Sequence, residues 1–83
     1  SIVEVKLPPK YDAQSIRDIN IRKQYNLLVL TTISKEEVTS FIGKTRKVDK
    51  VRGVAMPDDV LHEGDLLVVY GANKDIKRFL RES

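Results

Sequence analysis

Seven consecutive residues, Leu27-Leu28-Val29-Leu30-Thr31-Thr32-Ile33, form an apolar, β-prone run bounded by turn signals. Side chains of a strand alternate between its two faces, so a run without charged interruption predicts a strand covered on both sides. A chain of 83 residues has room for one core, and this segment must lie in it. Domains this small bury only about 60% of the surface their unfolded chains expose, and partner chains often supply the missing burial. No disulfide or thiolate metal site can compensate, because there is no cysteine. The single histidine, His62, excludes a histidine-based metal cluster within one chain.

The flanking sequence supplies the other elements. Val3, Val5 and Leu7 alternate with charged residues and predict an opening strand, which Pro8-Pro9 ends. Ser15 is placed to cap a helix, with Asp18 three residues on, and Asn20 interrupts the pattern. Two short helical turns follow, at 15–19 and about 21–25, with Asn26 suited to a left-handed C′ position. Ser34 and Glu37 predict a short helix through Phe41-Ile42, stopped by Gly43. Lys47–Arg52 reads as a strand, Asp58–Leu61 as a turn, and His62–Asp65 as a tight turn into strand Leu66–Tyr70. Gly71 closes that strand. Asn73 caps a last helix with an Ile76, Phe79, Leu80 stripe and with Lys77, Arg78 and Arg81 towards its negative end. The expected architecture is an α+β sandwich with β-α-β-β-β-α order, one domain over 1–83 without repeat or linker. Residues 34–52 read either as a folded insertion or as a mobile loop.

Little of this carries catalytic chemistry. Asp58, Asp59, Glu63 and Asp65 make an acidic cluster, but carboxylates around turns usually cap backbone donors, and an oxygen-rich metal site converges more ligands. His62 has no nucleophile beside it to activate. The glycines at 43, 53, 64 and 71 follow no phosphate-loop spacing, and Ser15, Ser34 and Ser40 lie in no nucleophile elbow. No catalytic residue, metal ligand or cofactor-binding residue is therefore assigned, and a stand-alone enzyme is a poor reading. No apolar run approaches the length of a membrane span, and the opening residues have no signal-peptide pattern, which with the lack of cysteine fits the cytoplasm.

Charge is local. The chain carries a formal net charge of +3, and Lys35–Arg52 alone holds six basic residues against three acidic ones. Lys44, Arg46, Lys47, Lys50 and Arg52 could track phosphates, yet no aromatic residue is interleaved among them, so a solvated charged segment is the simpler reading and no nucleic-acid partner is expected. Arg22 is different. It follows Ile16, Ile19 and Ile21, and a guanidinium beside flat apolar side chains suits an anion with an apolar face. The alternatives are an Arg22–Asp18 pair at i, i+4 or a dimer contact.

At Ser15-Ile16-Arg17-Asp18-Ile19-Asn20-Ile21-Arg22-Lys23-Gln24-Tyr25-Asn26 the chain resembles a signature of RCK C-terminal (TrkA-C) domains. So does Ala55-Met56-Pro57-Asp58-Asp59-Val60-Leu61-His62-Glu63-Gly64-Asp65 and the strand after it, through Gly71. The opening Ser1–Glu4 and the closing Asn73–Phe79 are similar to the KtrA-like type. The resemblance spans nearly the whole chain except about 34–50, which stands out as a family-atypical insertion. It implies a cytosolic regulatory domain that forms a homodimer and acts on a potassium channel, potassium uptake system or related transporter membrane subunit. Fuller members carry an N-terminal RCK Rossmann domain that binds the adenine nucleotide, and that half is absent from this chain. Some members bind cyclic di-AMP at the dimer interface, which by position implies Ile16, Ile21 and Pro57 against the bases and Arg22 at the phosphates. Arg17 and Leu28 depart from that pattern, Arg17 from an apolar residue and Leu28 from an asparagine that can contact adenine. A structural dimerisation and coupling module without ligand is the second reading. A small basic nucleic-acid-binding domain using Lys44–Arg52 is a weaker third.

Overall fold

The computed structural model describes residues 1–82, so that Ser83, the last residue of the expected domain, lies outside the described residues. Strands β1 (Ile2–Lys6), β2 (Leu28–Thr39), β3 (Thr45–Val54) and β4 (Leu66–Tyr70) form one antiparallel sheet in the order β1-β4-β2-β3. Helices α1 (Ile16–Ile19) and α2 (Ile21–Tyr25) precede β2, and α3 (Asn73–Glu82) follows β4. The expected β-α-β-β-β-α order and α+β class are both present.

Pairing partners explain which side of the sheet is buried. Val3, Val69 and Val29 form one cross-strand row, and Val5, Leu67 and Thr32 the next. These rows face the helices, and Val5, Val29, Thr32, Leu67 and Val69 are buried. On the opposite face, Ile2, Tyr70 and Leu28 form a row in which all three residues are exposed.

The Leu27–Ile33 run is therefore not buried on both faces, contrary to the expectation from its composition. Leu28 is 45% exposed, and Leu30 and Thr31 are half-buried. A register shift between Val29 and Thr31 explains the continuous apolar pattern. An extra residue at a bulge reverses the in–out alternation, so Leu27 and Val29 point inwards before it and Thr32 after it.

The helix expected over 34–42 is also absent. Those residues continue β2 and turn through Ser40–Lys44 into β3, so 34–50 is neither helix nor loop but the greater part of a β-hairpin. Cross-strand pairs decide the outcome: Lys35 bonds Asp49, and Lys50 lies 3.7 Å from Glu36. Of the residues read as a helix start and stop, Ser34 and Glu37 lie in β2 opposite Lys50 and Lys47, and only Gly43 serves the turn. The Ser40 carbonyl accepts from the Gly43 amide at 3.0 Å, and its hydroxyl accepts from the Lys44 amide at 3.1 Å. Gly43 has φ +83, a conformation costly for other residues.

The local signals around α1 and α2 are realised. Ser15 Oγ accepts from the Asp18 amide at 3.1 Å, and Asn20 and Asn26 adopt left-handed φ of 58° and 56° at the two helix ends. The last helix is displaced by one residue from its predicted cap, starting at Asn73 with the Ala72 carbonyl accepting from the Asp75 and Ile76 amides. Its apolar stripe is narrower than predicted, because Ile76 and Phe79 are buried while Leu80 is exposed.

Phe79 sits at the centre of the core. Tyr11 stacks on it with centroids 6.1 Å apart, and Tyr25 meets it edge-on at 5.2 Å. Each such burial contributes about 1.5–3 kcal/mol, and the ring geometry adds about 0.5–1.5 kcal/mol per pair. Gly71 lets the segment leading into β2 approach closely, since a Cβ there would stand 2.4 Å from Leu27 Cδ2.

The left-handed cap yields a direct test. Asn26→Ala should lower stability by about 1 kcal/mol, whereas Asn26→Gly should match or exceed the parent. Urea denaturation of the three proteins side by side measures the difference, and equal loss in both variants would contradict a backbone origin.

Candidate functional site

The two motif segments are brought together by backbone pairing. The amides of Ile16 and Arg17 donate to the carbonyls of Asp59 (3.0 Å) and Pro57 (2.8 Å), and the Leu61 amide donates to the Gln14 carbonyl at 2.9 Å. Carboxylates hold the turns in this second segment. Asp59 Oδ2 accepts from the Met56 amide and Asp65 Oδ2 from the His62 amide, both at 2.9 Å, and Arg17 Nε pairs with Asp58 Oδ1 at 3.0 Å. These are the capping and pairing roles that compete with a metal role. Among the described residues, no group of three or more His, Asp or Glu side chains converges to hold an ion.

Between α1, α2, the start of β2 and the 55–57 segment lies an open apolar groove of about 240 Å³. All four residues singled out from the sequence, Ile16, Ile21, Arg22 and Pro57, line it. They do not contribute alike. Ile16 is half-buried and Pro57 exposed, whereas Ile21 is 3% exposed and belongs to the core, backing the wall. Ala55, Met56 and Leu28 complete the apolar surface. None of the three was assigned a contact from sequence, although Ala55 and Met56 lay inside the quoted motif.

Arg22 stands where this groove meets a second, of about 570 Å³, lined also by Ser1, Asn26, Tyr70 and Gly71. It occupies the outer side of α2, whose other side is fixed by Tyr25 against Phe79. The side chain is exposed, and among the described residues it makes no ion pair, so the Arg22–Asp18 alternative is not realised. The second-groove residues Ser1, Asn26, Tyr70 and Gly71 fall within or beside the quoted motif segments, but nothing in the sequence marks them as neighbours. Their proximity depends on β2 and β4 pairing Leu28 with Tyr70.

No family model matches the chain. It is 33% identical over 82 residues to the Ktr system potassium uptake protein A of Bacillus subtilis (strain 168), covering 99% of this chain and 31% of the relative. A solved structure of the KtrA regulator of conductance of K⁺ (RCK) C domain, in complex with cyclic di-AMP, superposes with a TM-score of 0.72 at 30% identity. That likeness covers 100% of this chain and 82% of the other. The chain belongs to the RCK C-terminal domain family, of KtrA type.

The Arg17–Asp58 pair is largely exposed on both sides, so its removal should cost less than about 1 kcal/mol. Asp58→Ala should melt within a few degrees of the parent, as thermal denaturation would show, because backbone bonds rather than this pair hold the 55–61 segment in place. A large drop would reassign the anchoring to the ion pair.

Proposed function

We propose that this chain is a cytosolic ligand-sensing and dimerisation domain that regulates a potassium uptake system, binding cyclic di-AMP across a twofold interface. The observation that carries the reading is Arg22: an exposed guanidinium, without an ion pair among the described residues, at the edge of an apolar groove. Pro57 and Ile16 offer flat apolar contact for a base with Ile21 behind them, and Arg22 offers a forked cation for phosphate. Binding of cyclic di-AMP by the KtrA domain of similar fold supports the choice of ligand.

Openness supports sharing the ligand between two chains. A small-ligand pocket buries about 70–90% of its ligand's surface, whereas the apolar groove here is open to solvent. Two grooves facing each other across a dyad would supply one enclosed site with two Arg22 side chains. Binding would favour one dimer geometry, which an attached or associated transport protein reads as a population shift. The chain spans 31% of the length of its curated relative, and the transporter partner and the RCK Rossmann half belong to this proposal. Within it, the domain is a single unit whose 34–50 hairpin is a family-atypical insertion.

A second reading, a dimerising coupler with no ligand, is favoured by the exposed Ile2–Tyr70–Leu28 row beside the Arg22 groove. By the resemblance, Leu28 also stands where an asparagine would contact adenine.

Calorimetric titration of cyclic di-AMP, with AMP as control, separates the two. The proposal expects saturable binding at one ligand per two chains. Arg22→Ala should weaken it on the order of a hundredfold, since two charge-assisted contacts disappear, with circular dichroism and melting unchanged. Equal affinity in that variant removes Arg22 from the site, and no saturable heat with the parent chain leaves the coupler.

A further inference from the structure

The β2–β3 hairpin does not end where the sheet ends. Strand β4 pairs with β2 only as far as Ile33, and beyond it β2 and β3 continue as a two-stranded arm. The domain's longest dimension is 47 Å, about twice the other two at 23 and 22 Å. At the tip, Phe41 is 107% exposed and Ile42 76% exposed, side by side. The turn itself is closed by Ser40, Gly43 and Lys44, so neither apolar side chain is needed to form it.

Charge on the arm is graded along its length. In the lower half, Lys35 pairs with Asp49 and Lys50 with Glu36. From Val38 to Val48 there are three basic residues, Lys44, Arg46 and Lys47, and no acidic one. None of the three makes an ion pair among the described residues. The end of the arm is thus an apolar wedge with a collar of free cations directly behind it.

We propose that the arm tip is a membrane-surface anchor: Phe41 and Ile42 insert at the headgroup boundary of an anionic bilayer while Lys44, Arg46 and Lys47 contact its headgroups. Charge complementarity selects an anionic surface, each cation near such a surface strengthening binding roughly fivefold. Area selects a bilayer over a protein. Phe41 and Ile42 together present on the order of 300 Å², against roughly 500 Å² from each partner of a stable protein interface, and a bilayer needs no matching pocket. The anchor is reversible by construction, because two side chains and three charges fall far short of an inserted helix.

The chain has no tryptophan, so Phe41→Trp places a single reporter at the tip. The expected result is a blue-shifted emission and co-sedimentation with phosphatidylcholine–phosphatidylglycerol vesicles, but not with phosphatidylcholine alone. Lys44→Gln, Arg46→Gln and Lys47→Gln combined should weaken binding on the order of a hundredfold. Phe41→Ser with Ile42→Ser should remove the sedimentation while leaving the melting curve unchanged. Four outcomes overturn the proposal. One is no association with anionic vesicles, and another is association that survives the serine pair. The third is a Trp shift without vesicles that grows with protein concentration, which assigns the tip to a second copy. The last is equal affinity for a single-stranded oligonucleotide, which assigns the cations to nucleic acid.

Discussion

Phe79 holds the domain together by joining three separate parts of the chain, its own helix and two others. It comes from α3, is stacked by Tyr11 from the turn after β1, and is met edge-on by Tyr25 from α2. Arg78, its neighbour in α3, has its guanidinium carbon 5.0 Å from the Tyr25 ring centroid and its Nη2 3.6 Å from Asp75 Oδ1. In a small domain without disulfides, this aromatic junction does the work of a crosslink. Its consequence for the candidate site is orientation. A helix of five residues has little stability of its own, so α2 takes its position from Tyr25 and Ile21, and Arg22 is thereby turned outwards to the groove.

The same economy governs the other wall of the groove. The 55–61 segment has no regular secondary structure, yet it is held by backbone bonds to residues 14–17 and by carboxylates that satisfy their own turns. Pro57 is consequently set beside Ile16 by main-chain geometry, and the exposed side chains around it are released from structural duty. Fold and surface are thereby separated, since the main-chain bonds that set the groove's walls do not depend on the exposed side chains of Arg17, Leu28 or Met56.

Much of this was legible in the sequence because it depends on local chemistry. Ser15, Asn20 and Asn26 announce two short helices through capping and left-handed geometry that each residue satisfies alone. Leu66–Tyr70 is bounded by its own turns. The misread parts depend on partners far along the chain. Lys35 and Glu36 resemble a helix start until Asp49 and Lys50 are seen opposite them. The Leu27–Ile33 run suggests two buried faces until a bulge reverses its alternation. Leu80 fits a helical stripe, but the core closes over Phe79 before reaching it. The four residues that the resemblance implies for the site, Ile16, Ile21, Arg22 and Pro57, line one groove in the structure, but the depth at which Ile21 lies was not legible. That depth follows from packing, which no motif records.

The two irregularities in the sheet fall at one level. One register shift lies between Val29 and Thr31 where β2 meets β4, the other between Thr31 and Ile33 where β2 meets β3, with Gly53 close by at φ +81. Below this level, alternation is dictated by the core; above it, only by the pairing of two strands with each other. The bulges therefore act as a mechanical joint between domain and arm. Strand residues can be added or removed above the joint in matched pairs, lengthening or shortening the reach of the tip, without any core side chain changing the face on which it lies.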